Sequence, residues 1–283
     1  MTTFEDIIYR GLEFRIEAEP GLYGAFHIIC ILLTIALTVC MVVFFRDAKD
    51  STMRTIVFVG WLIMILLEIG KQVIGAMNYD GTTLTWSYYW HWFPFQFCST
   101  PMYTFPFVFL MKDCKFRKAI MAYIATFSLF AGIIVMILPT TVFSTRAFTN
   151  VQTMVHHGFQ VVFGVYMAAY NRHHLNKRFF AWCMMVFGAF ASIAMILNLT
   201  LYPVLLEKGL SKNFNMFYIS PYVNNDLPIL SSIYPLVPYP VYLIIYIFGF
   251  TLVAALVYAI EKGIVALTLR KKNRVQDPIE TQQ

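Results

Sequence analysis

The run His91-Trp92-Phe93-Pro94-Phe95-Gln96-Phe97-Cys98-Ser99-Thr100-Pro101 sets a thiol, a carboxamide and two prolines at the start of an apolar stretch. Hydrocarbon makes no demand for such groups, so their chemistry is worth following. A thiolate attacks ester carbonyls and carries the acyl group as a thioester, provided that a base takes its proton. Pro94 suits a first helical turn, where its missing N–H would have had no partner. Cys98 is then expected about one turn into a helix, where unsatisfied backbone N–H groups favour a thiolate. The competing reading is a free cysteine that only packs against its neighbours.

A base for that thiol is offered by the stretch that opens at Asn150, an expected N-cap. Thr153, His157, Gln160 and Gly164 fall at i, i+4, i+7 and i+11 and share one helix face, whereas His156 lines up with Phe159 and Phe163. The period makes His157 the inward histidine and sets His156 nearer lipid or a neighbouring helix. Glu68, Lys71, Gln72 and Gly75 share another face at i, i+3, i+4 and i+7. Glu68 and Lys71 can simply neutralise one another, yet ionisable groups inside a membrane generally face a bundle interior or a cavity. Asn198 and Tyr202 stand one turn apart, Asn215 lies in the longest loop, and Tyr239 opens the last apolar run between two prolines. His27 reads as an interfacial polar anchor, and Trp86, Tyr88, Tyr89, Trp90 and Trp92 as a headgroup-level belt.

These groups must be positioned by membrane helices. Of 283 residues, 59% are hydrophobic and only 13% charged, against roughly 25% charged in a soluble domain. Apolar runs long enough to span a bilayer fall at 22–45, 55–77, 93–111, 119–138, 151–170, 179–201 and 236–260. They predict an all-α polytopic membrane protein of seven transmembrane helices in one domain, 22–261. An amphipathic helix on the outer interface, within 1–21, precedes it, and a basic then polar tail, 262–283, expected to be unstructured, follows. Fifteen of the 21 Lys and Arg lie after the first, third and fifth runs and in the tail, and five lie on the other side. Basic residues stay cytoplasmic, so the N-terminus is expected outside and the C-terminus in the cytoplasm. The net charge of +6 is then a topology signal and not a nucleic-acid footprint.

At about 1.5 Å per helical residue, Cys98 and His157 come on the order of 8 Å below the outer ends of their runs. Glu68 and Lys71 reach a comparable or slightly greater depth, so a site is expected in the outer half of the bilayer. Other chemistries fit less well. No His or Asp set recurs on the second and seventh runs, which a three-histidine zinc hydrolase would need. The seventh run has no mid-membrane lysine for a retinal Schiff base, and no P-loop or Rossmann motif occurs. Neither a metal nor a cofactor is expected. Five cysteines without C-x-x-C argue against a complete disulfide framework, although Cys30 and Cys98 both fall toward the outer side.

Pro94-x-Gln96-x-Cys98, the Glu68/Lys71 pair, His157-Gly158 and Asn215-Met216-Phe217 followed by Pro221 resemble the YwaF family of seven-span membrane proteins. Phe95 and Phe97 stand where that pattern is leucine-rich. The family's relatives include a cysteine-dependent acyltransferase that makes ether phospholipids, and it is distantly similar to androgen-induced lipid hydrolases that use Thr and His. The resemblance runs from the first span to the seventh. It implies acyl transfer or acyl hydrolysis through a Cys98 thioester, with His157 as base and Gln96 or a backbone N–H at the oxyanion. It further implies that Lys71, tethered by Glu68, meets the lipid phosphate or the thiol, and that Asn198, Asn215 and Tyr239 contribute to substrate binding. The expected partners are membrane phospholipids, not nucleic acid, and the expected location is the plasma membrane. A rival from another class is a non-enzymatic lipid or small-solute binding protein or transporter with an outward-facing polar cavity. A third is a structural subunit.

Overall fold

The structure, a computed structural model, describes residues 4–12, 14–174 and 177–280. Besides the one-turn helix Leu230–Ile233, the described residues form eight longer helices: α1 Phe4–Leu12, α2 Ala25–Phe45, α3 Asp50–Ala76, α4 Thr100–Leu110, α5 Lys115–Ile137, α6 Ala147–Tyr170, α7 Lys177–Glu207 and α8 Tyr239–Glu280. A π turn, Ile124–Ser128, interrupts α5. Five helices, namely α2, α3, α5, α7 from Arg178 and α8 as far as Leu267, are long and apolar enough to cross a membrane. Two of the seven expected spans look different. The third is reduced to the short apolar stretch Phe97–Leu110, because the backbone ahead of it is not helical. The fifth, α6, has 24 residues but is too rich in amides and imidazoles to be counted with those five.

That polarity has a packing cause. Helix α6 is flanked by α2, α3 and α5, and Thr149, Gln152, Thr153, His156, His157 and Gln160 on it are all buried. The residues of α6 that are not buried are mostly apolar, among them Val151, Val155, Phe159, Val161 and Val165. By contrast α2 and α8 turn Leu33, Val39, Phe44, Phe248, Leu252 and Leu256 outward, as a lipid-facing surface requires. Helices α5 and α6 meet closely at Gly132, where a β-carbon would come within 2.7 Å of the His157 carbonyl oxygen and of Gln160 Cβ. A glycine is what lets the two backbones approach there.

Proline makes α4 depend on its neighbours. Pro106 lies inside the helix and offers no N–H to the carbonyl four residues back. That carbonyl, on Met102, accepts instead from the indole Nε1 of Trp61 on α3 at 2.8 Å. Just beyond, near the C-terminal end of α4, Arg117 is buried and donates from Nη2 to Asp50 at 2.7 Å and from Nε to the Val108 carbonyl at 2.8 Å.

The membrane-surface segments also differ from expectation. The amphipathic helix stops at Leu12; beyond it Ile16 N–H bonds to the Thr145 carbonyl and Ala147 N–H to that of Phe14, both at 2.9 Å. Open backbone groups ahead of α6 thus divert the chain into strand-like pairing. A small antiparallel hairpin, β1 Met77–Tyr79 and β2 Leu84–Trp86, follows α3, turned by Asp80 accepting from the backbone N–H groups of Thr82 and Thr83 at 2.8 Å each. Asn150 is not an N-cap, since α6 begins at Ala147. Its side chain instead braces the preceding loop, accepting from Ser144 N–H at 2.9 Å and donating to the Ser144 carbonyl at 2.7 Å. The last helix is described to Glu280, so the stretch expected as an unstructured tail is helical through that residue. Its Leu, Arg, Lys and Gln residues are good helix formers.

Candidate functional site

Cys98 occupies a 3₁₀ turn, Phe97–Ser99, immediately ahead of α4. Pro101, not Pro94, takes the first helical turn, so the thiol sits at the mouth of the helix and not one turn inside it. Pro101 has no N–H to offer the carbonyl of Phe97 four residues back, which accepts instead from Thr100, from its backbone N–H and from its Oγ1 at 2.9 Å. The carbonyl of Cys98 itself faces α6. It accepts from His156 Nε2 at 2.9 Å and also from Gln160 Nε2. All five cysteines are free thiols.

Two histidines flank the turn, and hydrogen bonding fixes the tautomer of each. A carbonyl oxygen only accepts, so a ring nitrogen bonded to one carries the proton. His156 is therefore protonated on Nε2, toward Cys98, and its Nδ1 keeps the lone pair. His157 donates from Nδ1 to the Thr153 carbonyl at 2.8 Å, which leaves the lone pair on Nε2. Both lone-pair nitrogens, His156 Nδ1 and His157 Nε2, are buried without a protein partner. Of the two places that periodicity allowed His156, lipid or a neighbouring element, the structure has the second: it is 4% exposed, as buried as His157 at 5%, and packs against the turn at Cys98. His27, expected as an interfacial anchor, is fully buried and uses both nitrogens, accepting from Tyr23 N–H at 3.0 Å and bonding the Met136 carbonyl at 2.8 Å.

Across from the histidines, Lys71 Nζ lies 2.7 Å from Glu68 Oε1. The same oxygen accepts from Gln72 Nε2 at 2.6 Å, and the second carboxylate oxygen accepts from Gln152 Nε2 of α6 at 3.0 Å. Gln72 also donates to the Trp92 carbonyl at 2.8 Å. A carboxylate in the interior of a membrane helix is costly unless paired and hydrogen-bonded, and here both oxygens are occupied. Helix α6 starts four residues earlier than the sequence suggested, so His157 lies about 15 Å from its beginning and Glu68 about 12 Å from the end of α3, at about 1.5 Å per residue.

The loop 208–238 covers this region. Asn198 Oδ1 accepts from Met216 N–H at 2.7 Å while its Nδ2 donates to the Met216 carbonyl at 2.9 Å. Gln96 makes a matching clamp, accepting from Phe217 N–H and donating to the Asn215 carbonyl, both at 2.9 Å. Where these clamps end, Phe217 and Tyr218 hold left-handed backbone angles, φ 58° and 56°, which non-glycine residues adopt at a cost and which cluster at functional sites. Asn215 Oδ1 accepts from Ser220 N–H at 2.8 Å, and the Tyr239 hydroxyl donates to the Ile219 carbonyl at 2.6 Å. The polar residues singled out at this end thus hold the loop in place.

Cys98, Ser99, Glu68, Lys71, His156 and His157 line one cavity of about 290 Å³, with Gln96 and Tyr218 at the loop side and Gln152 and Thr153 on α6. Asn198, Asn215 and Tyr239 do not line it; they act on the loop that does. Gln96 lines it but spends both ends of its amide on the loop, which weakens its expected role at an oxyanion. Gln152, Ser99 and Tyr218 were not anticipated as site residues, and His156 was ranked behind His157. A sequence signal did exist for two of them: Thr149, Gln152 and His156 form a second polar stripe at i, i+3 and i+7 beside that of Thr153, His157 and Gln160. A helix polar on two sides is enclosed by protein on both. Chemically, the cavity offers a thiol, the two buried imidazole lone pairs of α6, a third imidazole at His91, several hydroxyls and the ammonium of Lys71.

No curated protein and no solved structure matches the chain. A model of the TMEM164 family, a family of transmembrane proteins, matches residues 22–258, and the chain belongs to that family.

Proposed function

We propose that this member of the TMEM164 family is a membrane-embedded lipid acyltransferase, or an acyl hydrolase where water is the acceptor, working through a thioester on Cys98. The observation that carries the reading is the convergence of Cys98, two histidines with free lone pairs and the Glu68–Lys71 pair on one cavity. His157 is the proposed base: anchored by Nδ1 to its own helix, its ring extends Nε2 away from the backbone. His156, pinned to the Cys98 carbonyl, is the proposed positioning residue.

In the first half-reaction His157 Nε2 takes the thiol proton, the Cys98 sulfur bonds to an ester carbonyl of a phospholipid, and the ester C–O bond breaks. The departing lysophospholipid alkoxide receives that proton. In the second half-reaction an acceptor hydroxyl gives its proton to Nε2 and attacks the thioester, the C–S bond breaks, and the departing thiolate takes that proton from Nε2 to restore the thiol. Lys71, with its charge balanced by Glu68, meets the lipid phosphate. The likeness to the YwaF family, with its cysteine-dependent acyltransferase relative, supports the same reading. So does the seven-span, N-outside topology drawn from the basic residues, with α4 and α6 as its two atypical spans. A plasma-membrane location goes with it.

The test is the mass of the intact protein after incubation in phosphatidylcholine vesicles. One acyl chain should be added, released by hydroxylamine and absent from Cys98→Ala. A Cys98→Ala protein that still transfers acyl chains at the full rate would overturn the scheme. It would leave a non-enzymatic lipid or solute binding protein, a role that the fully paired Glu68–Lys71 wall also suits.

A further inference from the structure

Helices α3 and α4 leave between them an apolar cleft of about 310 Å³, walled by Ile65, Ile69 and Val73 on one side and by Met102 and Tyr103 on the other. The three α3 residues fall at i, i+4 and i+8 and form a straight wall about 12 Å long at about 1.5 Å per residue. Ile69, Val73 and Tyr103 are 54%, 40% and 36% exposed, so the cleft opens sideways on the surrounding hydrocarbon. The Tyr103 hydroxyl donates to the Pro94 carbonyl at 2.6 Å, which holds its ring at the rim.

Glu68 joins this cleft to the polar cavity, because it lines both. Its two oxygens are taken by Lys71, Gln72 and Gln152, so the cleft itself stays apolar. One side of the boundary therefore favours hydrocarbon and the other holds an ammonium. A second apolar groove, between α2 and α6 at Leu33, Val155 and Phe159, shares no residue with the polar cavity.

We propose that the α3–α4 cleft holds an acyl chain of a membrane phospholipid whose head group enters the polar cavity at Lys71. The cleft is then the lateral way from the bilayer to Cys98. A partner helix laid on Ile69 and Val73 would cover apolar surface but place nothing beside Lys71; a thin tail with a charged head occupies both compartments. The proposal rests on the lipid reading of the cavity but not on the thioester chemistry.

The experiment uses the full chain, and separately Cys98→Ala, in phosphatidylcholine vesicles doped with phosphatidylcholine carrying a diazirine in its acyl chain. After illumination, cross-links are mapped by peptide mass spectrometry. Labels are expected to concentrate on the 65–73 stripe and on Met102 and Tyr103, equally with and without the thiol. They should fall at least five-fold in Val73→Trp and in Ile69→Trp, two lipid-side changes that fill the cleft, and stay unchanged in Leu33→Trp. Labels as heavy on the outer faces of α2 and α8 as in the cleft, or unaltered by both tryptophans, would overturn the proposal. A cleft label that persists while no acyl adduct ever forms sinks the thioester scheme alone, and an adduct without a cleft label sinks the cleft alone.

Discussion

His156 donates its Nε2 proton to the carbonyl oxygen of Cys98 across 2.9 Å, which ties the turn carrying the thiol to the buried helix α6. The bond reaches the backbone of Cys98 and not its sulfur, so the histidine fixes where the thiol stands while leaving the sulfur free to react. His157, one residue on, has its anchor within α6 and no bond to the turn. Adjacent residues of one type therefore carry different tasks.

This division predicts a split between rate and stability. His157→Gln should slow acyl-adduct formation on Cys98 by on the order of 10²–10⁴-fold, the usual worth of a general base, with a melting temperature near that of the wild type. His156→Ala should leave the Cys98 carbonyl to Gln160 alone and lower stability by about 0.5–1.5 kcal/mol, the net worth of one hydrogen bond. His156→Gln, which keeps a donor, should recover most of the rate. Adduct kinetics and thermal denaturation in the same detergent check both. If His156→Gln loses the rate at full stability, the two histidines exchange roles.

The Glu68–Lys71 pair predicts a sharper asymmetry. Glu68→Ala leaves the Lys71 ammonium inside the bundle without its counter-ion, and breaking a buried pair from one side costs about 3–5 kcal/mol. The double variant Glu68→Gln, Lys71→Met removes both charges and keeps a carboxamide for Gln72 and Gln152. It should melt close to the wild type while binding anionic head groups more weakly. The checks are thermal denaturation and co-purified lipid measured by mass spectrometry. A double variant as unstable as Glu68→Ala would show that the cost lies in packing and not in charge.

Asn198 predicts the behaviour of the covering loop. Asn198→Ala takes both partners from the Met216 backbone, about 1–3 kcal/mol for each group left unsatisfied, just before two residues held in left-handed conformations. The loop should loosen first. In a chain whose other four cysteines are replaced by alanine, modification of Cys98 by a bulky, membrane-impermeant maleimide should accelerate several-fold, while a small methanethiosulfonate reacts at nearly its former rate. An equal change for both reagents would mean that the loop is not what shields the thiol.

Much of this was legible in the sequence, and the rest failed for identifiable reasons. The stripe of Thr153, His157 and Gln160 could be read because burial follows the helical period. His156 could not be placed that way, since the argument assumes one inward face and α6 is enclosed from several sides. Asn198, Asn215 and Tyr239 could be recognised as polar groups near the site, but not as loop clamps. The atoms they satisfy, such as Met216 N–H and C=O, need partners only because the chain turns sharply at Phe217 and Tyr218. Pro94 and Pro101 are equally good first-turn prolines by sequence; Gln96, held to the loop by two bonds, keeps the backbone before Cys98 extended and leaves the helix to begin after it.

The same dependence of α4 on its neighbours can be measured directly. Trp61 supplies to the Met102 carbonyl the hydrogen bond that Pro106 cannot, so the two residues should be coupled although one is on α3 and the other on α4. Trp61→Phe removes the donor and keeps most of the ring, which should cost about 1–3 kcal/mol for an acceptor left unpaired. In a Pro106→Ala background the residue at 106 regains its N–H and can bond to Met102 in the ordinary helical way. The cost of Trp61→Phe should then shrink to a few tenths of a kcal/mol, giving a coupling energy within the range of about 0.5–3 kcal/mol seen for residues that share a partner. Equal losses in the two backgrounds, read from urea or thermal unfolding in detergent, would show that the indole matters through packing alone. A coupling of the expected size would establish that the proline in α4 is tolerated because a side chain from α3 completes its hydrogen-bond ladder, and that the helix behind Cys98 is held in register from outside itself.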